Sequence, residues 1–204
     1  MRLPVLILLD TSGSMSGVSL RRLQGAVGEF KRRLAEAELV RDRVEICIMG
    51  FNEHSYLICR WTKPEDINGT RLAAYGGTDL SQALDDAVAE IADWRHAEQE
   101  SGPAVLLLVT DGYGGTLPES IRERLANESI ELWFFGLPGY DRESASRIAD
   151  KDRIYELSWS TGDTCEGIFN TAAESIIAAV RQSEIKDERA VCDVVNYDLD
   201  RKAC

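Results

Sequence analysis

The stretch LILLDTSGSM (residues 6–15) decides the fold, because an apolar run ends there in side chains that carry oxygen. The run begins at Val5 and has no polar interruption, which predicts a strand covered on both faces. Asp10, Ser12 and Ser14 follow at intervals of two residues. Asp, Ser and Gly are ordinary turn formers, so this stretch alone favours a turn. The same three side chains also offer hard oxygen ligands to a cation, and the rest of the chain decides between the two.

The composition describes a folded, acidic protein. Of 204 residues, 44% are hydrophobic and 28% are charged, which is typical of a soluble globular protein. The 35 acidic and 23 basic residues give a formal net charge of −12. This balance argues against nucleic acid and anionic membranes as partners, because both attract basic surfaces. No repeat or low-complexity tract divides the chain, so we expect one domain over residues 1–182 and a C-terminal extension over 183–204, which forms an added strand or a docking segment.

The cysteines and the first residues indicate a cytoplasmic protein. The five cysteines lie far apart without a C-x-x-C pair, which favours reduced thiols over a disulfide framework. Met1 and Arg2 lead at once into an apolar stretch that is too short for a signal-peptide core or a membrane span. His54 and His96 are isolated and lack the spacing of zinc ligands.

Apolar runs of strand length alternate along the chain with segments of helical period. This pattern predicts strands over 5–9, 43–51, 56–62, 104–110, 131–136 and 153–157, and helices over 19–39, 79–97, 117–127, 141–150 and 164–182. The second and third strands are close enough in sequence to be antiparallel neighbours. We therefore predict an α/β protein with a doubly wound, mostly parallel open sheet of about six strands, one short antiparallel edge strand and helices on both faces.

Two aspartates follow the two most apolar strands, namely Asp10 and Asp111. In a parallel sheet both belong at the carboxyl edge, where ligands bind at the point of strand-order reversal. The segment GGT (76–78) adds a threonine. Together these segments resemble a von Willebrand factor A (VWA) domain, whose metal-ion-dependent adhesion site (MIDAS) combines D-x-S-x-S with a distant Thr and a distant Asp. The resemblance spans about residues 3–182 and implies an intact site with the metal ligands Asp10, Ser12, Ser14, Thr78 and Asp111.

The chemistry of these donors agrees with a hard cation. Neutral hydroxyls with one or two carboxylates favour Mg²⁺, with Mn²⁺ or Ca²⁺ as alternatives. Mg²⁺ takes about six oxygens and keeps waters, so this donor set leaves a position open. In the family, an Asp or Glu of a protein partner fills that position. Thr78 is also a candidate N-cap for the following helix, whereas Asp79 and Asp141 are expected at helix termini and not as ligands.

The sequence favours a binding protein over an enzyme. Haloacid-dehalogenase-type phosphatases carry a second aspartate two residues after the first, and here that position is Ser12, which is no proton donor near neutral pH. Receiver-type acidic pairs, a Ser-His-Asp grouping and a P-loop are also missing from the sequence. We expect a metal-dependent protein-interaction module that acts as an adaptor or scaffold, with a metal-dependent phosphate hydrolase as the alternative.

Within the family, the segments LPVLILLDTSGSMSG (3–17) and YGGTDLSQAL (75–84) resemble short stand-alone bacterial VWA proteins of the TerY type. Those proteins are associated with tellurium-resistance, stress and phage-defence gene clusters. The resemblance implies an intracellular scaffold beside kinase-, phosphatase- or TerD-like proteins. A second possibility within the family is an adaptor of a MoxR-type AAA+ ATPase.

Overall fold

A computed structural model of the protein describes residues 2–100, 102–111, 120–157 and 165–183. Six strands are present in these ranges: β1 (Leu3–Asp10), β2 (Val44–Phe51), β3 (Ser55–Thr62), β4 (Ala104–Thr110), β5 (Ile130–Gly136) and β6 (Ile154–Glu156). The α-helices there are α1 (Val18–Glu36), α2 (Glu38–Arg41), α3 (Leu80–Glu98), α4 (Ser120–Asn127), α5 (Arg142–Ile148) and α6 (Cys165–Ser183). Short 3-10 turns span Gly13–Met15, Pro64–Asp66 and Lys151–Arg153.

The six strands form one sheet in the order β3-β2-β1-β4-β5-β6. All neighbours are parallel except β3, which runs antiparallel to β2 at one edge. This confirms the predicted α/β fold with its antiparallel edge strand. The chain builds outward from β1 to β3 and then returns to place β4 on the other side of β1. The strand order therefore reverses between β1 and β4, and the carboxyl ends of these two strands flank the crevice where such sheets bind ligands.

Helices cover both faces of the sheet and explain why β1 is apolar at every position. Val5, Ile7 and Leu9 belong to a core cluster shared with α1 and α6, whereas Leu6 and Leu8 pack with α3, α4 and α5. Alternate side chains of a strand point to opposite faces, so a central strand needs apolar residues throughout.

In the described part of the chain, no helix combines the length and the apolarity needed to cross a membrane.

Several element boundaries differ from the sequence prediction. The helix predicted over 19–39 ends at Glu36, because Ala37 adopts an extended conformation with φ −86° and ψ 96°. The chain then forms the short helix α2 and buries Val40 against the core before it enters β2. Residues 117–119 of a predicted helix and residues 184–204 of the predicted extension lie outside the described residues. The division of the chain at residue 182 stays a prediction.

Paired charges hold the amino-terminal end of the sheet. Arg2 pairs with Glu45 near the start of β2 at 2.6 Å and also with Glu98 of α3. Arg153 is buried, lies 2.5 Å from the carboxylate of Glu131 in β5, and stacks its guanidinium 5.3 Å from the centre of the Trp133 ring. At this end of the sheet, basic groups of the chain itself neutralise the acidic ones.

Candidate functional site

Asp10 is the last residue of β1 and is fully buried. Its carboxylate is held on both sides. Oδ1 accepts a hydrogen bond from the Ser12 backbone N–H at 2.9 Å, and Oδ2 accepts one from the Thr110 hydroxyl at 2.6 Å. Because Thr110 ends β4, these two bonds fix the carboxylate across the point where the strand order reverses.

The buried position of Asp10 raises the pKa of its carboxyl above the ordinary value. The main cause is the loss of water around the charged form, and the hydrogen bonds from Ser12 and Thr110 act in the opposite direction. The negative charge of Asp111 raises the pKa further. A cation bound beside these two carboxylates would favour their charged forms and offset the cost of burying them.

The two serines of the first motif lie together directly beyond Asp10. The hydroxyl oxygens of Ser12 and Ser14 are 3.0 Å apart. A 3-10 turn over Gly13–Met15 brings them to the same side, and the buried side chain of Met15 anchors that turn in the core. Ser12 is buried and Ser14 is exposed, so this hydroxyl pair reaches from the interior of the crevice to its surface.

The segment that carries Thr78 is bonded to the first loop through the backbone. The N–H of Gly13 donates to the carbonyl of Gly76 at 3.0 Å, and the N–H of Tyr75 donates to the carbonyl of Thr11 at 3.0 Å. Gly13 leaves room for this contact, because a Cβ at that position would lie 3.3 Å from the Gly76 oxygen. Gly76 itself has φ +75°, a backbone conformation that residues with a Cβ rarely adopt.

Asp79, and not Thr78, caps helix α3. The Asp79 carboxylate accepts a hydrogen bond from the Gln82 backbone N–H at 3.0 Å. The prediction that Asp79 serves a helix terminus is therefore confirmed, as is the one for Asp141, which caps α5. The alternative that Thr78 is the N-cap is wrong, since α3 begins at Leu80 and Asp79 directly precedes it. The half-buried Thr78 thus lies outside the cap, on the segment bonded to the first loop.

Asp111 follows β4 and is 8% exposed. The β1–β4 register pairs Leu9 with Val109, so the ends of the two strands lie side by side. The structure thus joins Asp10, Ser12 and Ser14 by direct hydrogen bonds, places Asp111 within electrostatic reach of Asp10, and brings Thr78 alongside through its backbone segment.

The described residues contain no cluster of three or more His, Cys, Asp or Glu in an arrangement that suits a metal ion. A divalent ion at this edge of the sheet would therefore depend on hydroxyl oxygens in addition to its carboxylates. Such a donor set suits a hard cation, since Mg²⁺ and Ca²⁺ bind oxygen ligands.

Two residues of the site were not singled out from the sequence. Thr110 donates to Asp10, and Thr11 donates its hydroxyl proton to the carbonyl of Phe51 at 2.8 Å. Both are fully buried threonines next to a predicted ligand. One sequence signal was available for Thr110. It is a polar residue at the carboxyl end of an otherwise apolar strand, and it directly precedes Asp111.

Comparisons with known proteins agree with the fold described above. The sequence profile described as von Willebrand factor type A domain matches residues 5–113. Among curated protein sequences, none matches the chain. The fold is similar to that of the pilus adhesin SpaC from Lactobacillus rhamnosus GG in its open conformation, with a TM-score of 0.72 and 15% identity over 86% of this chain and 30% of that one.

Two further structures have the same fold. The von Willebrand factor type A protein from Catenulispora acidiphila has a TM-score of 0.67 and 16% identity over 86% of this chain and 43% of that one. Proximal thread matrix protein 1 from the mussel byssus, in a structure with a zinc-occupied MIDAS motif, has a TM-score of 0.63 and 14% identity over 88% of this chain and 46% of that one. The chain therefore spans less than half the length of these three proteins.

Proposed function

Because the chain belongs to the von Willebrand factor type A domain family, we propose that it is a divalent-metal-dependent protein-interaction module. In this proposal an Asp or Glu of a partner protein occupies an open coordination position of the bound ion. The observation that carries the proposal is the buried carboxylate of Asp10, which lies near Asp111 and accepts its hydrogen bonds from an amide and a hydroxyl. A buried carboxylate is stable when a positive charge compensates it, and the site has the oxygen donors that would hold one.

The donor types support Mg²⁺ as the ion, with Mn²⁺ or Ca²⁺ as alternatives. Ser12, Ser14 and Asp111 or Thr78 would hold the ion, and Asp10 would contact it directly or through water. A bound ion would supply a positive charge that an acidic side chain of the partner could complete. A zinc-occupied MIDAS motif is recorded for the mussel protein. Oxygen-only donors make the harder ions the better fit here.

Exposed apolar side chains near the site support a protein partner. Among the described residues, Val18, Leu57 and Tyr75 are the large hydrophobic residues that face solvent. Val18 begins the helix that follows the first motif, and Tyr75 directly precedes the glycine bonded to Gly13. Aromatic residues are enriched at protein interfaces, so Tyr75, 59% exposed, fits a contact that accompanies the metal-bound carboxylate.

The setting of this activity follows from the sequence resemblance. We propose a cytoplasmic role in a bacterial stress, tellurium-resistance or phage-defence system. The partner would be a kinase-, phosphatase- or TerD-like protein, or an AAA+ ATPase of the MoxR type. Nucleic acid and membrane are not expected as partners, given the net charge of −12.

The test compares metal binding and partner capture in matched variants. Asp10→Ala combined with Ser12→Ala is expected to abolish heat release on titration with Mn²⁺ and chelator-sensitive capture of partner proteins. Asp141→Ala combined with Ser144→Ala removes the same residue types from another hydrogen-bonded pair, at the start of α5, and is expected to leave both intact. Excess acidic peptide should compete with the partner for the metal site and release it, whereas the Asn or Gln analogue of the peptide should not. Capture that persists in chelator would overturn the proposal.

The hydrolase alternative has its own discriminating result. Phosphatase and nucleotidase assays with Mg²⁺ or Mn²⁺ are expected to give no turnover. Turnover that disappears in Asp10→Asn would replace the adaptor function with metal-assisted phosphate hydrolysis.

A further inference from the structure

Thr11, the residue between Asp10 and Ser12, uses all of its polar atoms in hydrogen bonds. Its N–H donates to the carbonyl of Phe51 at 2.8 Å, and its own carbonyl accepts from the Tyr75 N–H at 3.0 Å. Its hydroxyl donates to the Phe51 carbonyl at 2.8 Å and lies 2.8 Å from the hydroxyl of Tyr56. Thr11 therefore connects the end of β1 to β2, to β3 and to the segment that carries Thr78.

The direction of the bond between the two hydroxyls follows from a count of protons. A threonine hydroxyl has one proton, and Thr11 gives it to the Phe51 carbonyl, which can only accept. Tyr56 must then donate to Thr11. The result is a chain from Tyr56 through Thr11 to Phe51, in which each bond polarises the next and the rotamer of Thr11 is fixed.

Gly50 makes this arrangement sterically possible. Tyr56 pairs with Gly50 across the antiparallel β2–β3 ladder, and its ring lies against the glycine. A Cβ at position 50 would lie 2.6 Å from Cζ and 2.8 Å from the hydroxyl oxygen of Tyr56. The tyrosine thus crosses the neighbouring strand where β2 has no side chain, and it reaches the first loop from the edge of the sheet.

We propose that Tyr56 is a positioning residue for the candidate metal site and acts on it through Thr11. This inference rests on the proposed function. Thr11 is covalently joined to Asp10 and Ser12, so a fixed Thr11 limits the motion of both predicted ligands. A metal ion binds more tightly when neighbouring groups already hold its ligands in place. Tyr56 would be such a neighbouring group for Asp10 and Ser12.

The first test measures Mn²⁺ affinity by calorimetry on the full chain. Tyr56→Phe removes only the hydroxyl and is expected to weaken Mn²⁺ binding about fivefold. This factor corresponds to the net free energy of one hydrogen bond. Tyr140→Phe is the matched control, because Tyr140 also packs its ring on a glycine, Gly136, where a Cβ would lie 2.5 Å from the ring. That variant is expected to bind Mn²⁺ as the wild type does.

A double variant isolates the route through Thr11. Thr11→Val also removes the hydrogen bond to Tyr56, so Tyr56→Phe should add no further loss of affinity in a Thr11→Val background. Additive losses would contradict the route through Thr11. Unchanged affinity in Tyr56→Phe would overturn the inference while the proposed function stands.

A second measurement uses the metal-free protein. Amide hydrogen exchange over residues 11–14 is expected to be faster in Tyr56→Phe than in the wild type and unchanged in Tyr140→Phe. If the wild type binds no Mn²⁺, the proposed function fails, and the exchange rates still decide whether Tyr56 orders this loop. Equal exchange in Tyr56→Phe and wild type would overturn the inference on its own.

Discussion

At the amino-terminal end of the sheet, Arg153 lies against Glu131 and Arg2 lies against Glu45. At the carboxyl-terminal end, Asp10 instead accepts its hydrogen bonds from a backbone amide and a hydroxyl, and Asp111 lies near enough to repel it. Glu131 and Glu45 are half-buried, and Asp10 and Asp111 are buried. At one end the protein contains the compensating cation, and at the other it contains oxygen donors that would hold a cation from solution.

This difference separates charges that hold the structure together from charges that serve binding. An internal ion pair is complete as soon as the chain folds. A buried carboxylate without a basic group beside it costs stability until something binds to it, and proteins accept such costs at functional sites. Three changes test the distinction, and they are ordered here from the largest expected effect to the smallest.

The largest effect is expected from Arg153→Met at the amino-terminal end. The substitution keeps an apolar stem against Trp133 but leaves the carboxylate of Glu131 without its cation. We expect the free energy of unfolding in urea to fall by about 2 kcal/mol, because the half-buried carboxylate of Glu131 loses its cation and keeps only the hydrogen bond from the Trp133 indole N–H. Mn²⁺ affinity should not change. Arg122→Met breaks the exposed pair with Asp150 and should cost much less, so equal losses in the two variants would contradict this account.

The second effect is expected from Asp10→Asn at the other end. In the native protein the pKa of Asp10 is raised, so its contribution to stability is fully present below the ordinary carboxyl pKa. That contribution is lost as the pH rises through the raised value. Without metal, the variant should therefore melt above the wild type at neutral pH, and the difference should vanish in acid.

Addition of Mn²⁺ should reverse that order. The wild type gains stability from the bound ion, whereas Asp10→Asn is expected to bind it about 10- to 100-fold more weakly. Thermal melts at several pH values, with Mn²⁺ and with chelator, measure both effects. A wild type that melts above the variant at neutral pH in chelator would show that the buried carboxylate carries no cost.

The smallest effect separates two helix caps. Asp79→Ala and Asp141→Ala each remove a carboxylate that accepts a hydrogen bond of 3.0 Å from a backbone N–H. Each is expected to lower the free energy of unfolding by about 1 kcal/mol. The Asp79 variant should also weaken Mn²⁺ binding, because Asp79 directly follows Thr78 and its side chain holds the start of α3 behind that residue. Equal Mn²⁺ affinity in the two variants would show that the Asp79 cap does not position Thr78 for the ion.

The fold could be predicted from the sequence because the strand composition and the helix periodicity both indicate the same architecture. β1 and β4 are apolar at nearly every position, which only a sheet covered on both faces requires, and the helices between them have one apolar stripe. Boundaries were less predictable. The break at Ala37 depends on how Val40 packs into the core, and no local pattern around Ala37 indicates it.

The candidate site was predictable where it depends on strand ends and not where it depends on register. Asp10 and Asp111 follow apolar strands, so their approach could be inferred from topology alone. The bond from Thr110 to Asp10 joins residues 100 apart in sequence, and the bond between Thr11 and Tyr56 joins residues 45 apart. Such pairs follow from strand register, since a shift by one residue would turn each side chain to the opposite face.

The short strand β6 affects how the molecule behaves at high concentration. It pairs with residues 134–136 of β5, so residues 130–133 pair with β4 on one side and, in the described part of the chain, with no strand on the other. An uncovered stretch of backbone amides and carbonyls invites pairing with another molecule. Glu131 lies on this stretch and pairs with Arg153, and an incoming strand would have to disturb this ion pair. The same contact that stabilises the amino-terminal end thus also opposes edge-to-edge aggregation at β5.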